Sequence, residues 1–189
     1  MTRIRFKNFI NLTDDEKLLV LEWRNSDRVR SKMANTEIIP KENHLKFIES
    51  LKTRNDCKYW LFMIDDVPVG VYDIVKINSN GIGEGGSYIG NVNYLGYGLL
   101  LCYLLTLRQS ETIGFPKNRH EAKEFSFYVM KNNPRTYKMH TQVFGAKLLE
   151  EDDEKWVLYL DEEGWQDKKD YLKETLYDPL NIKEVVWEE

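Results

Sequence analysis

The chain has 189 residues, 42% of them hydrophobic and 31% charged, which is an ordinary composition for a globular domain with a full core. Its formal charge of −4 weighs against the clustered basic surface of a general nucleic-acid binder. No apolar span has the length of a membrane helix, and the N-terminus lacks the apolar segment of a signal peptide, so we expect a cytoplasmic protein.

The N-terminal half predicts two helices followed by a hairpin of strands. The segment Thr13–Glu16 is a capping box that begins the first, amphipathic helix. A second helix begins near Pro40. Aromatic and branched residues over 59–64 and 69–77 then predict two antiparallel strands joined by a tight turn.

A strand, a loop with two glycines and a buried helix follow one another at the centre of the chain. The strand covers 86–92, the loop contains Gly96 and Gly98, and the apolar block 99–105 begins the helix. Glycines leave backbone N–H groups uncovered at the positive end of the helix dipole, and this favours a phosphate. The same glycines could serve only the turn, so the pattern is not specific by itself.

The remaining segments complete the predicted order. They are a strand over 123–130, a helix over 133–144, a strand over 155–160 and a helix over 165–177. No repeat or linker divides the chain, so we expect one α+β or α/β domain over 1–189, with a mixed sheet, a core to about residue 160 and a helical tail over 161–189. Two cysteines and three widely spaced histidines predict neither a disulfide framework nor a metal site.

This order of elements resembles the GNAT superfamily of acyl-CoA-dependent N-acetyltransferases. Residues 93–98 match the family's pyrophosphate loop, Q/R-x-x-G-x-G/A, with Asn93 in place of the usual Arg or Gln. Residues 133–136 and 145–146 look like its second motif, an Asn at the start of a helix and a closing Gly-Ala. The resemblance implies an α+β fold whose mostly antiparallel sheet is splayed between strands 86–92 and 123–130.

Acetyl-CoA is the co-substrate that the resemblance implies, with pantetheine lying between the splayed strands. No metal is implied. The residues that match the cofactor-binding positions are Ile89, Gly90, Asn91, Asn93, Leu95, Gly96, Tyr97, Gly98, Leu99, Asn133 and Thr136.

The N-terminal half also looks like the acetyltransferases of pseudaminic acid synthesis, which act on a nucleotide-linked 4-amino sugar. The likeness lies in the segments 23–26, 42–48 and 70–75. It implies an acceptor site formed by Arg24, Met33, His44, Phe47 and Tyr72. As alternatives, Arg24 holds a carboxylate within the fold and the other four are core residues.

Acetyl transfer to an amine needs a base for the amine proton. The resemblance makes Glu84, just before the central strand, our first choice, with a solvated loop residue as the alternative. Asp73 is the rival because it alternates with Tyr72 along its strand. The resemblance places an acid near His140 or Tyr137. A thiol leaving group hardly needs one, and His140 could simply pack or face solvent.

We therefore expect an acetyl-CoA-dependent N-acetyltransferase that transfers directly to a primary amine, with a nucleotide-linked amino sugar as the best acceptor. The alternatives are acetylation of a protein N-terminus or a polyamine, or a non-catalytic acyl-CoA-binding module. The acidic run 150–154 would favour a polyamine if it lay at the acceptor mouth. The expected partner is a small-molecule amine rather than a nucleic acid or a membrane, and homodimer formation stays open.

Overall fold

Eight strands and six helices build the protein, which a computed structural model describes over residues 1–189. The strands are β1 (Thr2–Asn8), β2 (Cys57–Ile64), β3 (Val67–Val75), β4 (Glu84–Ile89), β5 (Phe127–Met130), β6 (Lys147–Glu151), β7 (Lys155–Tyr159) and β8 (Ile182–Trp187). The helices are α1 (Asp14–Asn25), α2 (Asp27–Arg30), α3 (Lys41–Ser50), α4 (Gly98–Thr112), α5 (Pro134–Lys138) and α6 (Glu162–Leu172). Single π-helical turns, Met139–Val143 and Lys173–Tyr177, extend α5 and α6. None of the helices is long and apolar enough to cross a membrane.

The strands form two sheets. The larger has the order β4-β3-β2-β1-β8, and the smaller has the order β5-β7-β6. Every pairing is antiparallel except that of β1 with β8. Because β4 and β5 are edge strands of different sheets, the structure opens between them, which confirms the predicted α+β fold and the predicted splay.

The predicted first helix and hairpin are present, and local chemistry explains both. The Thr13 hydroxyl accepts the Glu16 N–H at 3.2 Å, and the Glu16 carboxylate accepts the Thr13 N–H at 2.7 Å, which completes the capping box. The β2–β3 turn places Asp65 and Asp66 at φ of 47° and 63°. Positive φ at both central residues suits the twist of a two-residue hairpin, and aspartate tolerates that conformation.

The two faces of the larger sheet pack against different helices. On one face, buried residues such as Phe6, Trp60 and Phe62 pack with Leu101 and Leu104 of α4. On the other face, a second cluster joins the sheet to α1 and α3; it includes Val20, Trp23, Ile48, Leu61, Met63 and Val71. Since side chains alternate along a strand, Tyr72 faces α4 whereas Asp73 faces α1 and α3.

Three strands, β1, β6 and β8, are absent from the elements predicted from the sequence. The sequence of β1 does contain a strand pattern, because the apolar residues Ile4 and Phe6 alternate with basic residues. Both apolar side chains are fully buried. β6 is a short strand in an acidic segment. The expectation of a helical tail over 161–189 is wrong in its last part, because β8 pairs there with β1 over a distance in sequence that no local pattern reveals.

Candidate active site

A cleft of about 860 Å³ lies between the two sheets. Its lining includes β3, β4, β5 and α4, together with the segment that follows α2. Both splayed strands therefore contribute, as the sequence analysis expected of a cofactor channel.

The start of α4 follows directly on a 3-10 helix, Val92–Tyr97. No side chain caps the helix, whose N-cap residue is Tyr97. A Cβ added at Gly96 would meet no atom within 4 Å, and one at Gly98 would meet only Ile89, at 3.8 Å. Neither glycine has a positive φ, so neither the fold nor its packing requires a glycine here. The open backbone can accept an anionic group such as a phosphate.

The edge of β4 presents only part of its backbone to the cleft. The N–H groups of Gly90 and Asn91 both donate to the Val69 carbonyl, at 2.9 and 3.0 Å. In an antiparallel pair of strands, residues whose N–H and C=O groups bond the partner strand alternate with residues whose groups point away from it. On β4, the backbone groups of Ser87 and Ile89 therefore point away from β3 towards the gap. Ile89 thus has free backbone groups, whereas the Asn91 N–H is already bonded to β3; the contacts of both residues with a cofactor stay predictions.

Gly90 has a packing role. A Cβ at this position would overlap the Trp23 ring, and the Gly90 carbonyl accepts a hydrogen bond from the Arg28 guanidinium at 2.6 Å. The glycine is therefore explained by the approach of α1 to β4 rather than by a cofactor. Gly90 lies outside the cleft lining, and its predicted contact with the cofactor stays a prediction.

The other predicted cofactor positions fall into two groups. Those that line the cleft are Ile89, Gly98, Asn133 and Thr136. Those in the turn at the start of α4, outside the lining, are Asn93, Leu95, Gly96, Tyr97 and Leu99. Their contacts with acetyl-CoA stay predictions.

Asp73 lines the cleft on the face that packs against α1 and α3. It pairs with Gly86, and a Cβ on Gly86 would lie 3.0 Å from Asp73 Oδ2. The missing side chain thus leaves room for the carboxylate. Burial, and after it the neighbouring Glu84 carboxylate, raise the pKa of Asp73 to about 7, against a smaller opposing effect of Arg24.

Glu84 also lines the cleft, but nearer to solvent. Its side chain is 24% exposed and pairs with Lys76 at 3.0 Å. Asp73 has no lysine partner, and burial raises its pKa. The geometry therefore favours Asp73, the rival candidate, over Glu84 as the base.

The two predicted acids are not suited to that role. His140 lines the cleft, with its ring 4.7 Å from that of Phe127, and burial lowers its pKa to about 4. The imidazole is therefore neutral near pH 7 and has no imidazolium proton to give. Tyr137 lies outside the cleft lining and packs on Trp156, with ring centroids 4.3 Å apart.

Two of the five predicted acceptor residues, Met33 and Tyr72, line the cleft. His44 does not: it is buried, and its Nε2 bonds the Lys17 carbonyl at 2.9 Å, so it joins α3 to α1. Phe47 packs edge-on against Tyr59, with centroids 5.1 Å apart, and lies one layer behind the cleft. For both residues the structure agrees with the alternative of a core position.

Arg24 lies outside the cleft lining and holds the segment after α2. One guanidinium nitrogen donates to the Asn35 carbonyl at 2.8 Å, whereas its Nη1 is buried without a partner. The neighbouring Asn25 amide exchanges two hydrogen bonds with Ile39, each at 2.9 Å. Arg24, predicted as an acceptor-site residue, thus organises the loop that carries Met33.

Three cleft residues that the sequence analysis missed are tyrosines, at positions 59, 88 and 128. Tyr59 pairs with Asp73 across β2 and β3, and Tyr88 lies on the same face of β4. Burial raises the pKa of Tyr88 and Tyr59, so both keep their phenolic protons. Alternation from Asp73 could have identified Tyr59 and Tyr88 once the register was known.

No group of three or more His, Cys, Asp and Glu side chains is arranged to hold a metal ion. The cleft instead combines a helix N-terminus without a side-chain cap, a free strand edge and a half-buried carboxyl. These are the parts that acyl transfer from a phosphate-bearing thioester requires.

Comparison with known proteins agrees with this geometry, although no family model matches the chain. The acetyltransferase PseH of Campylobacter jejuni subsp. jejuni serotype O:23/36 (strain 81-176) is 30% identical over 139 residues, which span 74% of this chain and 82% of that protein. The crystal structure of C. jejuni PseH in complex with acetyl coenzyme A has 26% identity and a TM-score of 0.63, covering 84% of this chain and 99% of its own. FdhC, described as a nucleotide-linked sugar GNAT, has 18% identity and a TM-score of 0.67, covering 93% and 94%, and supports the fold alone.

The splayed sheets and the cleft between them define a GNAT-type N-acetyltransferase. Within that class, the identity and coverage of the sequence match are sufficient to place the chain more narrowly. It belongs to the family of the acetyltransferase PseH.

Proposed function

We propose that the protein transfers an acetyl group from acetyl-CoA to the amine of a nucleotide-linked amino sugar. The donor is supported by the PseH structure that contains acetyl coenzyme A. The acceptor class is supported by the likeness of the N-terminal half to acetyltransferases of nucleotide-linked 4-amino sugars in the segments 23–26, 42–48 and 70–75.

The observation that carries the proposal is the cleft itself. It runs from the start of α4 at Gly98 to Asp73, along the free edge of β4. A long thioester with a phosphate-bearing end fits such a channel, because its anionic part and its reacting carbonyl need different surroundings.

Each part of the chain has a separate task when acetyl-CoA, which supplies an activated thioester carbonyl, is bound. The backbone at Gly96 and Gly98 would hold the pyrophosphate. The free backbone groups of Ser87 and Ile89 would pair with the pantetheine arm, as one strand pairs with another. An N–H at this edge would also hold the thioester oxygen as negative charge develops on it.

Asp73 takes the proton that the amine gives up. An effective base has a pKa close to the working pH, and burial places that of Asp73 near 7. Because the tyrosines around it keep their protons, Asp73 is the group on this face that gains a proton during the reaction. Positioned bases of this kind contribute roughly 10²- to 10⁴-fold to the rate.

The structure gives no particular support to a polyamine acceptor. The acidic run 150–154 spans the β6–β7 turn, where the Asp152 carboxylate accepts the N–H groups of Glu154 and Lys155, both at 2.8 Å. Glu151 forms an ion pair with Lys131. None of the acidic residues in the run lines the cleft, so the feature that would favour a polyamine is absent from the acceptor side.

An acceptor screen tests the proposal. Release of free thiol from acetyl-CoA is measured with a UDP-linked 4-amino sugar, with spermidine and with a peptide that has a free N-terminus. We expect release only with the amino sugar, and acetylated sugar by mass spectrometry. Release with spermidine or the peptide but not with the sugar would contradict the acceptor class, and the absence of acetyl-CoA binding would contradict the whole proposal.

A further inference from the structure

Asp73 and Glu84 lie on the same face of the large sheet. Asp73 pairs with Gly86, and Glu84 pairs with Val75, so the two acids are diagonal neighbours across β3 and β4. Diagonal neighbours in an antiparallel pair have Cα atoms on the order of 8 Å apart. Gly86, opposite Asp73, has no side chain to stand beside the Asp73 carboxylate, whereas Val75, opposite Glu84, borders the pair on the other strand.

The two acids differ in the partners of their carboxylates. Asp73 is half-buried in the lining of the cleft and has no hydrogen-bonding or ion-pair partner within the chain. Glu84 is 24% exposed and is anchored by Lys76, whose own side chain is 75% exposed. The ion pair with Lys76 holds the Glu84 carboxylate in place beside Asp73.

We propose that Glu84 is a positioning residue that acts through Asp73: its anchored negative charge strengthens Asp73 as the proton acceptor for the incoming amine. The proposal rests on the proposed acetyl transfer. It assigns separate tasks to two carboxylates that the sequence presents as alternatives. Two acids in one site commonly divide in this way, because each charge makes the other harder to form.

The other groups that face Asp73 do not provide this effect. The positive charge of Arg24, on α1, acts in the opposite direction. The remaining titratable neighbours on β2, β4 and β5 are neutral near pH 7; they are Cys57, Tyr59, Tyr88 and Tyr128. Glu84 is thus the negative charge that makes Asp73 more basic, in addition to burial.

The pH profile of kcat/KM tests the proposal. Removing a negative charge makes the neighbouring carboxyl more acidic, so in Glu84→Gln the acidic limb of the profile should move down by about one pH unit. Lys76→Met is the matched control with the opposite sign, because it removes the positive partner and leaves Glu84 charged. The acidic limb of the Lys76→Met profile should move to higher pH by a few tenths of a unit, because the Lys76 side chain is mostly in water.

A second readout does not depend on activity. The carboxyl carbon of Asp73, labelled with ¹³C and observed by NMR in the protein without substrates, should titrate at a lower pH in Glu84→Gln than in the wild type. The titration of Asp73 could shift while Asp73→Asn still transfers acetyl at the wild-type rate. In that case the two carboxylates interact but Asp73 is not the base, and the inference fails. If neither the titration nor the acidic limb moves in Glu84→Gln, the coupling itself is absent and the inference is overturned.

Loss of activity at every pH in Glu84→Gln, with an unmoved limb, would also overturn the inference. That result would show that Glu84 takes the proton itself or supports the fold. A movement of the limb and of the NMR titration by the same amount would support the inference.

Discussion

The carboxyl of Asp73 stays protonated up to about pH 7, because burial and the Glu84 charge disfavour its ionised form. In the unfolded chain the same group ionises near pH 4. Between these values the folded protein binds a proton that the unfolded chain has released. Linkage then requires the free energy of unfolding to fall as the pH rises from about 4 to about 7. A group suited to remove a proton therefore destabilises the protein at the pH where it works.

Asp73→Asn should consequently raise the stability at pH 8 while abolishing acetyl transfer. The amide cannot ionise, so the free-energy cost of ionising this side chain in the folded state disappears. The stability gain of the variant over the wild type should therefore be larger at pH 8 than at pH 4, by at most roughly 4 kcal/mol. Urea unfolding at several pH values measures it. Asp153→Asn, in the exposed β6–β7 turn, is the control and should change stability by the same small amount at every pH.

A gain that is equal at pH 4 and pH 8 would contradict the account of Asp73. It would mean that the carboxyl titrates normally in the folded state and that its burial has no effect on proton binding.

Two glycines in the connection between β4 and α4, Gly90 and Gly96, have different structural roles. Gly90 gives room to the Trp23 ring, whereas Gly96 has open space around it. Gly90→Ala should therefore lower the free energy of unfolding by about 1–3 kcal/mol, as overpacking does. Gly96→Val should leave stability nearly unchanged and raise the KM for acetyl-CoA about tenfold, which is about 1.4 kcal/mol of binding.

Thermal unfolding and acetyl-CoA titrations of both variants check this contrast. An unchanged KM in Gly96→Val would show that the open backbone at the start of α4 is not a phosphate site. A fully stable Gly90→Ala would show that α1 can move away from β4.

The elements that the sequence predicted well are those with a local chemical signal. The capping box at Thr13 begins a helix, the two aspartates at 65 and 66 make a turn, and the glycines before α4 mark an open helix start. The strand β8 has no such signal, because it exists by pairing with β1 far away in the chain. His44 shows the same limit: its helix was predicted, but the neighbour that its ring bonds was not.

The same distinction explains why the base could not be chosen from sequence. Glu84 and Asp73 were both expected near the cleft, and both line it. What separates them is burial and the partner lysine of Glu84, and these depend on how β3, β4 and the helices meet in space.

At the scale of the whole molecule, β8 connects the C-terminal segment to the large sheet and to the cleft. The Trp187 ring stacks on Phe6, with centroids 3.7 Å apart, and it meets Trp60 edge-on at 5.8 Å. The indole of Trp60 donates to the Glu188 carbonyl at 2.8 Å. Trp187 also lines the cleft, so the strand contributes to both the core and the site.

Trp187→Ala should therefore lower the free energy of unfolding by about 2–3 kcal/mol, less than a fully buried tryptophan because this one is half-buried. Denaturant unfolding measures the loss, and Lys183→Ala on the same strand, an exposed position, should change stability by less than about 0.5 kcal/mol. Equal effects of the two substitutions would show that β8 is not part of the cooperative core.

The central claim is that this cleft transfers an acetyl group with Asp73 as the base. The most direct measurement follows a labelled acetyl group from acetyl-CoA to a nucleotide-linked 4-amino sugar, by mass spectrometry, in the wild type and in Asp73→Asn. We predict labelled sugar with the wild type and a loss of at least about 100-fold in kcat with the variant, whose binding of acetyl-CoA is unchanged. Transfer at equal rates by both proteins would contradict the account.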